Sequence, residues 1–436
     1  MPVFLALSGI LLLIFLISYV RLDTFISFIL VSIGLGLATG MSVTSIGKSI
    51  QTGIGGTLGD LILIMGFGAM LGKVVAESGA AQRVTQALIQ VFGRRYIQWG
   101  VALAGFIIGI PLFYNAGFII IVPLIFTIAS STQLPLLYIA IPMCSALSVA
   151  HGYLPPHPSP LAISIQLKAD IGETLLYGFL VAIPAIVVAG PLFGKTLRNI
   201  QPLIKPSLFQ ATPLKDSELP GLGVSLFVTL LPLVLLSLTS IIKKFEFDSV
   251  IIQLVAEPYI AMLISVLLAV YLLGLRRGKT MKTMMVQLEE AFKATSVILL
   301  IIAGAGALKQ VLNDSGISQY IAERLITLPI SPLILGWLMA GAVRICVGSA
   351  TVAGLTAVGI LAPMIQQQTG IKPELMVLSI GAGSLMLSHI NDGGFWMFKE
   401  YFNLTVKQTL RTWTVMETIV SVVGLLAVLA VNALIV

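Results

Sequence analysis

Apolar residues in this chain run on for about twenty positions at a time, and short polar stretches separate the runs. A helix of that length crosses the roughly 30 Å apolar core of a bilayer. The pattern predicts ten such spans, at about 3–20, 25–42, 57–76, 134–167, 174–194, 222–241, 251–275, 293–312, 374–398 and 413–435. The run at 3–20 has neither a basic leader nor a small-residue cleavage site, so it is expected to be a retained span. Two further runs, about 97–130 and about 331–368, are each long enough for two short helices. Polar and small residues break them near the middle: Gly109-Ile110-Pro111-Leu112-Phe113-Tyr114-Asn115-Ala116-Gly117 in the first, Arg344-Ile345-Cys346-Val347-Gly348-Ser349-Ala350-Thr351 in the second. Irregular backbone at membrane depth persists only where protein or a watery cavity satisfies it. Each run therefore predicts a re-entrant hairpin with its tip at the break.

The two halves echo each other. Leu71 to Gly79 aligns with Leu308 to Gly316, and Leu147 to His151 aligns with Leu385 to His389, at nearly one offset. An amphipathic stretch (80–92 and 317–328) and then a hairpin follow the first motif in each half. An odd number of crossings separates the copies, which makes the repeat inverted. The expected fold is an all-α polytopic membrane protein of two inverted repeats. Residues 1–194 form the first, with its hairpin and a broken span at about 134–167. Residues 222–436 form the second, with its hairpin and a broken span at about 374–398. A linker at 195–221 joins them.

Composition sharpens this picture. Apolar residues make up 57% and charged residues only 10%, against about 25% charged in an ordinary globular chain. Mean hydropathy is +1.04. Too few charges are present to cover a water-facing surface, which excludes soluble enzymes and DNA binders. The net charge of +7 forms no basic block suited to nucleic acid and instead sets orientation. Lys195, Arg198, Lys205, Lys215, Arg276, Arg277, Lys279 and Lys282 cluster in two stretches separated by two spans, which puts both on the cytoplasmic side. Counting outward places both termini outside, with Lys48 as an exception. Cys144 and Cys346 make no disulfide framework or zinc spacing, and neither metal nor cofactor is expected. Gly34 to Gly40 is glycine-rich, but it lies inside an apolar span, where close helix packing accounts for it. No Walker sequence is present.

Four segments are polar where a plain span would not be: the two hairpin breaks and the two broken spans. Four prolines (Pro155, Pro156, Pro158, Pro160) interrupt the span at 134–167, removing helix donors. Gly381, Gly383, Gly393 and Gly394 loosen the span at 374–398. Discontinuous helices of this kind form the solute site of secondary transporters: half-helix N-termini face an anion and unwound carbonyls serve a coupling cation. The chain's three histidines, His151, His157 and His389, all fall in the broken spans. They are candidate proton carriers, because an unperturbed imidazole titrates near 6.5; the competing role is a structural hydrogen bond. Asp392 is the acid best suited to proton coupling, with a helix cap as its alternative. Arg344 offers a planar fork for a carboxylate, or an ion pair that stabilises the hairpin. Asn115, Ser349 and Thr351 suit hydroxyls, or satisfy the hairpin backbone. Gly117, Ser148, His151, Ser388 and Asn391 complete the expected substrate-binding set.

Pro111-Leu112-Phe113-Tyr114 with Gly117-Phe118, His151-Gly152 with Pro155-Pro156-His157-Pro158, and Ser388-His389-Ile390-Asn391-Asp392 with Phe395-Trp396 together resemble the gluconate permease family. These are gluconate:proton symporters within the ion-transporter superfamily, and the resemblance runs along essentially the whole chain. It implies uptake of gluconate or another small hydroxylated carboxylate, or of D-serine. It also implies a bacterial inner-membrane location, a homodimer and elevator-like movement of the hairpin-bearing part. The expected function is sugar-acid import, gluconate foremost, by proton symport. Sodium coupling is the nearest rival. A membrane-embedded enzyme using His and Asp is the rival from another class, disfavoured because no serine or cysteine nucleophile has an identifiable base partner.

Overall fold

The computed structural model describes residues 2–200, 214–244, 249–255, 257–317, 319–320, 330–367 and 371–435, and every regular element among them is helical. Much of the 195–221 linker and most of the 317–328 stretch lie outside the described residues. The first half holds α1 (Pro2–Ile14), α2 (Thr24–Ala38), α3 (Val43–Glu77), α4 (Ala80–Phe92), α5 (Ile97–Gly109), α6 (Tyr114–Thr132), α7 (Leu136–Tyr153), α8 (Pro158–Leu167) and α9 (Ile171–Thr196). The second holds α10 (Leu222–Lys244), α11 (Val250–Val255), α12 (Pro258–Arg277), α13 (Met281–Asp314), α14 (Pro332–Val347), α15 (Ala350–Gln367), α16 (Pro373–Gly383), α17 (Gly393–Tyr401) and α18 (Val406–Ile435).

Helices α3 and α13 form the spine. Each begins at a hydroxyl cap: Ser42 Oγ accepts from the Ser45 N–H at 3.1 Å, and Thr280 Oγ1 from the Thr283 N–H at 3.2 Å. Each ends at a serine followed by a glycine in the left-handed region, Gly79 (φ 80°) and Gly316 (φ 76°), where a side chain would be strained. The sequence predicts spans only at 57–76 and 293–312. The helices run 35 and 34 residues, because no proline interrupts 43–56 or 281–292. Where the two meet, a Cβ on Gly53 would strike the Gly306 carbonyl oxygen, and one on Gly306 would strike Thr57 and the Gly53 carbonyl. The backbones touch directly, the contact that small residues permit between helices in lipid.

Five helices among the described residues are long and apolar enough to cross a membrane alone: Leu136–Leu167 (α7 with α8), α9, α12, α13 and α18. They differ in what covers them. The most apolar stretch of α18 is 22% buried, whereas that of Leu136–Leu167 is 94% buried, so protein rather than lipid surrounds the latter. Large apolar side chains such as Leu180, Ile183, Leu267 and Leu426 stand exposed on the outer helices, as a lipid-facing surface requires. Helices α5 and α16, at 13 and 11 residues, are about 20 Å or shorter at 1.5 Å per residue and cannot cross alone.

Candidate functional site

Both interrupted runs are helix–break–helix units. In the second, α14 stops at Gly348, whose φ of 80° lets its N–H reach the Arg344 carbonyl at 2.9 Å. A Cβ at Gly348 would overlap the backbone carbonyl of Asn391, so this break is pressed against the break between α16 and α17. A helix end leaves carbonyls without intrahelical partners. Here the His389 Nε2 donates to the Ile345 carbonyl at 3.0 Å, and the Asn391 Nδ2 donates to the Ile345 and Cys346 carbonyls at 2.8 and 3.3 Å. A carbonyl only accepts, so Nε2 of His389 carries its proton.

Asp392 ties three elements together. As the N-cap of α17 it accepts from the Gly394 N–H at 3.0 Å through Oδ1. Its Oδ2 accepts from Arg344 Nη2 at 2.5 Å and from the Ser388 hydroxyl. Ser388 in turn accepts from Trp413 Nε1 at 2.7 Å, and its carbonyl accepts from Thr414 Oγ1 at 2.5 Å. The Arg344 side chain is 4% exposed, yet its Nε and Nη1 have no hydrogen-bond partner among the described residues. One arm of the guanidinium is held by Asp392, and the remaining donors are buried and unsatisfied. An ionised donor in that state is costly unless an acceptor arrives.

The first break is built differently. Between α5 and α6, the Gly109 carbonyl accepts from His157 Nε2 at 2.6 Å, so His157 is also a helix-end donor. A Cβ on Gly72 would press on the Pro111 carbonyl, which seats this break on α3. Aromatic rings continue the contact: His151 lies 5.2 Å from His157 and 6.0 Å from Tyr114, and Tyr114 lies 5.8 Å from Trp413 of α18. The Tyr153 hydroxyl donates to the Val420 carbonyl at 2.6 Å, fastening the end of α7 to α18.

These parts line a half-open cavity of about 790 Å³, within the range of small-molecule sites. Of the predicted residues, Ser148, His151, Arg344, Ser349, Thr351, Asn391 and Asp392 line it. Ser349 also accepts from the Val352 N–H at 3.4 Å as a cap of α15. His157 and Ser388 are buried behind the lining, holding Gly109 and Asp392. His389 braces Ile345. Gly117 packs against Leu147, and the Asn115 side chain lies outside the described residues. Sequence reasoning missed Glu417, Trp413 and Lys73, which also line the cavity. Lys73 pairs with Glu77 at 2.6 Å and Glu290 at 3.2 Å. Glu417 had a legible signal: it is an acid inside an apolar run of about twenty residues, where such groups are rare and usually functional.

Comparison with known proteins agrees with this architecture. The chain is 46% identical over 439 residues to the high-affinity gluconate transporter of Escherichia coli K12, covering 100% of both chains. It is 44% identical over 437 residues to the L-idonate transporter of the Gnt-II system from the same organism, covering 99% of both. Among solved structures, the Alcanivorax borkumensis YdaH transporter superposes with a TM-score of 0.67 at 14% identity, covering 94% of this chain and 97% of that one. At that identity the likeness speaks for the all-helical transporter fold alone. The profile described as GntP family permease matches residues 1–435. With its lipid-facing helices and its matching family profile, the chain is a multi-pass membrane protein, a transporter rather than an enzyme, and belongs to the GntP permease family.

Proposed function

We propose that this protein imports a sugar acid, gluconate foremost, by proton symport across the bacterial inner membrane. The observation that carries the reading is Arg344: a buried guanidinium on the wall of a 790 Å³ cavity, with Nε and Nη1 unpartnered. A carboxylate accepts from two guanidinium N–H groups at once. The hydroxyls of Ser148, Ser349 and Thr351, with Asn391, suit a polyhydroxy chain. Relatives named for gluconate and L-idonate support the class of substrate.

The machinery in this reading is two inverted repeats, 1–194 and 222–436, whose re-entrant hairpins (97–130 and 331–368) meet at the cavity, with both termini outside and two chains per assembly. Matching caps support the repeat: Ser42 and Thr280 begin α3 and α13, and Gly79 and Gly316 end them, at nearly the offset of the sequence motifs. Alternating access follows when the loaded site favours reorientation.

Uptake of labelled gluconate into proteoliposomes tests this. An inward proton gradient is expected to drive accumulation, with L-idonate competing. Stimulation by sodium alone would overturn proton symport, and failure of any sugar acid to exchange would overturn the substrate class.

A further inference from the structure

Glu417 lies on α18 at the cavity wall, 1% exposed, and neither carboxyl oxygen has a hydrogen-bond partner among the described residues. The groups that face it are known. Ser148 of α7 presents the neighbouring hydroxyl, and Arg344 of α14 and Asp392 at the cap of α17 lie within electrostatic reach. Cys144 and Tyr153 of α7 and Tyr114 of α6 complete the surroundings. His151 shares the cavity, its Nδ1 unpartnered.

The two cavity acids are in opposite states. Both oxygens of Asp392 are occupied, by Arg344, Ser388 and the Gly394 N–H, so a proton there would break the ion pair. Neither oxygen of Glu417 is in a hydrogen bond of ordinary geometry, although the Ser148 hydroxyl stands near, and a buried carboxylate so placed carries a desolvation cost that one proton removes. Resting on the sugar-acid reading above, we infer that Glu417 is the group that takes the coupling proton.

Charge then explains the coupling. Arg344 is already neutralised by Asp392, so an arriving carboxylate adds an uncompensated negative charge near Glu417. A proton on Glu417 removes one negative charge from the same cavity. Each ligand therefore favours the other, and the favour is reciprocal. The site carries the same net charge when empty and ionised as when holding one monocarboxylate and one proton. The stoichiometry is one to one, and a complete uptake cycle moves no net charge across the membrane.

The test uses the full-length chain in proteoliposomes with labelled gluconate. Glu417→Gln keeps the shape and removes the titration. Its loss of gradient-driven accumulation is expected to exceed its loss of gluconate exchange by about tenfold or more, the size of an ordinary coupling, and Glu417→Asp should recover part of the difference. A second measurement needs no variant. Dicyclohexylcarbodiimide, which attacks protonated carboxyls in apolar surroundings, should modify Glu417 of the wild-type protein, faster as pH falls, as read by peptide mass spectrometry. A Glu417→Gln protein that accumulates like wild type, or modification at Asp392 that spares Glu417, overturns the inference and leaves the transport reading intact. A wild-type protein that neither exchanges nor accumulates gluconate overturns the transport reading and this inference with it.

Discussion

The two helix breaks that line the cavity perform one backbone task with different chemistry. At the first, between α5 and α6, the helix-end carbonyl of Gly109 is satisfied by His157, and the neighbours are aromatic rings. At the second, between α14 and α15, His389 and Asn391 satisfy Ile345 and Cys346, and beside them sits the Arg344–Asp392 pair. Charge is thus concentrated at the second break. The first is a neutral wall held in place by packing, with His157 1% exposed. The difference teaches that two helix breaks on one cavity need not share its chemistry evenly. Both solve the same problem of unpaired carbonyls, and only the second carries the charged pair.

Substitutions that treat the two breaks alike should therefore have unequal effects. The largest is expected from Arg344→Gln. Losing charge-assisted hydrogen bonds from the free Nε and Nη1 to a bound carboxylate costs about 1.5–3 kcal/mol. That raises the KM for gluconate about tenfold or more, measurable from the concentration dependence of uptake at matched protein levels. An unchanged KM would reduce Arg344 to scaffolding.

Next comes Gly348→Ala. A left-handed backbone costs a side chain about 1–2 kcal/mol, and here the Cβ also meets the Asn391 backbone, which cannot rotate away. The parallel change Gly117→Ala meets side-chain atoms, the Leu147 methyl at 2.8 Å foremost. Thermal denaturation in detergent should show a large loss for Gly348→Ala and a small one for Gly117→Ala. Equal losses would mean the second break is no tighter than the first.

The histidines give the finer contrast. His157→Ala leaves the buried Gly109 carbonyl without its donor, a cost of about 1–3 kcal/mol. His389→Ala should cost less, under about 1 kcal/mol, because Asn391 still donates to Ile345. Denaturation midpoints of the two variants check the order. Equal midpoints would put the histidines in the same role. A similarly small effect, about 0.5–1 kcal/mol, is expected from Tyr153→Phe, which removes one hydrogen bond to Val420. It should lower the denaturation midpoint slightly and leave the KM unchanged.

Much of this was legible along the chain. The helical character, the two interrupted runs and the two broken segments follow from run length and from where proline and glycine fall. Both are local properties that a bilayer enforces strictly. Seven of the predicted site residues line the cavity because they sit in or beside those breaks. The individual partners were not legible. The separation of 48 positions between Arg344 and Asp392 says nothing about distance in space, and whether Asp392 is satisfied depends on Ser388 and Gly394 as well. Glu417 is an isolated acid in an apolar run, and nothing nearby in sequence shows what faces it.

From sequence alone came the solvent of this protein, the places where its helices must break and the residue types waiting there. Apolar run length and helix-breaking residues act over a few positions, so order along the chain is enough to read them. Tertiary structure decided which donors and acceptors are used up and which are left over. It left Arg344 with spare N–H groups and Glu417 with bare oxygens. Those outcomes depend on distances of about 3 Å between segments far apart in the chain, and only packing sets such distances.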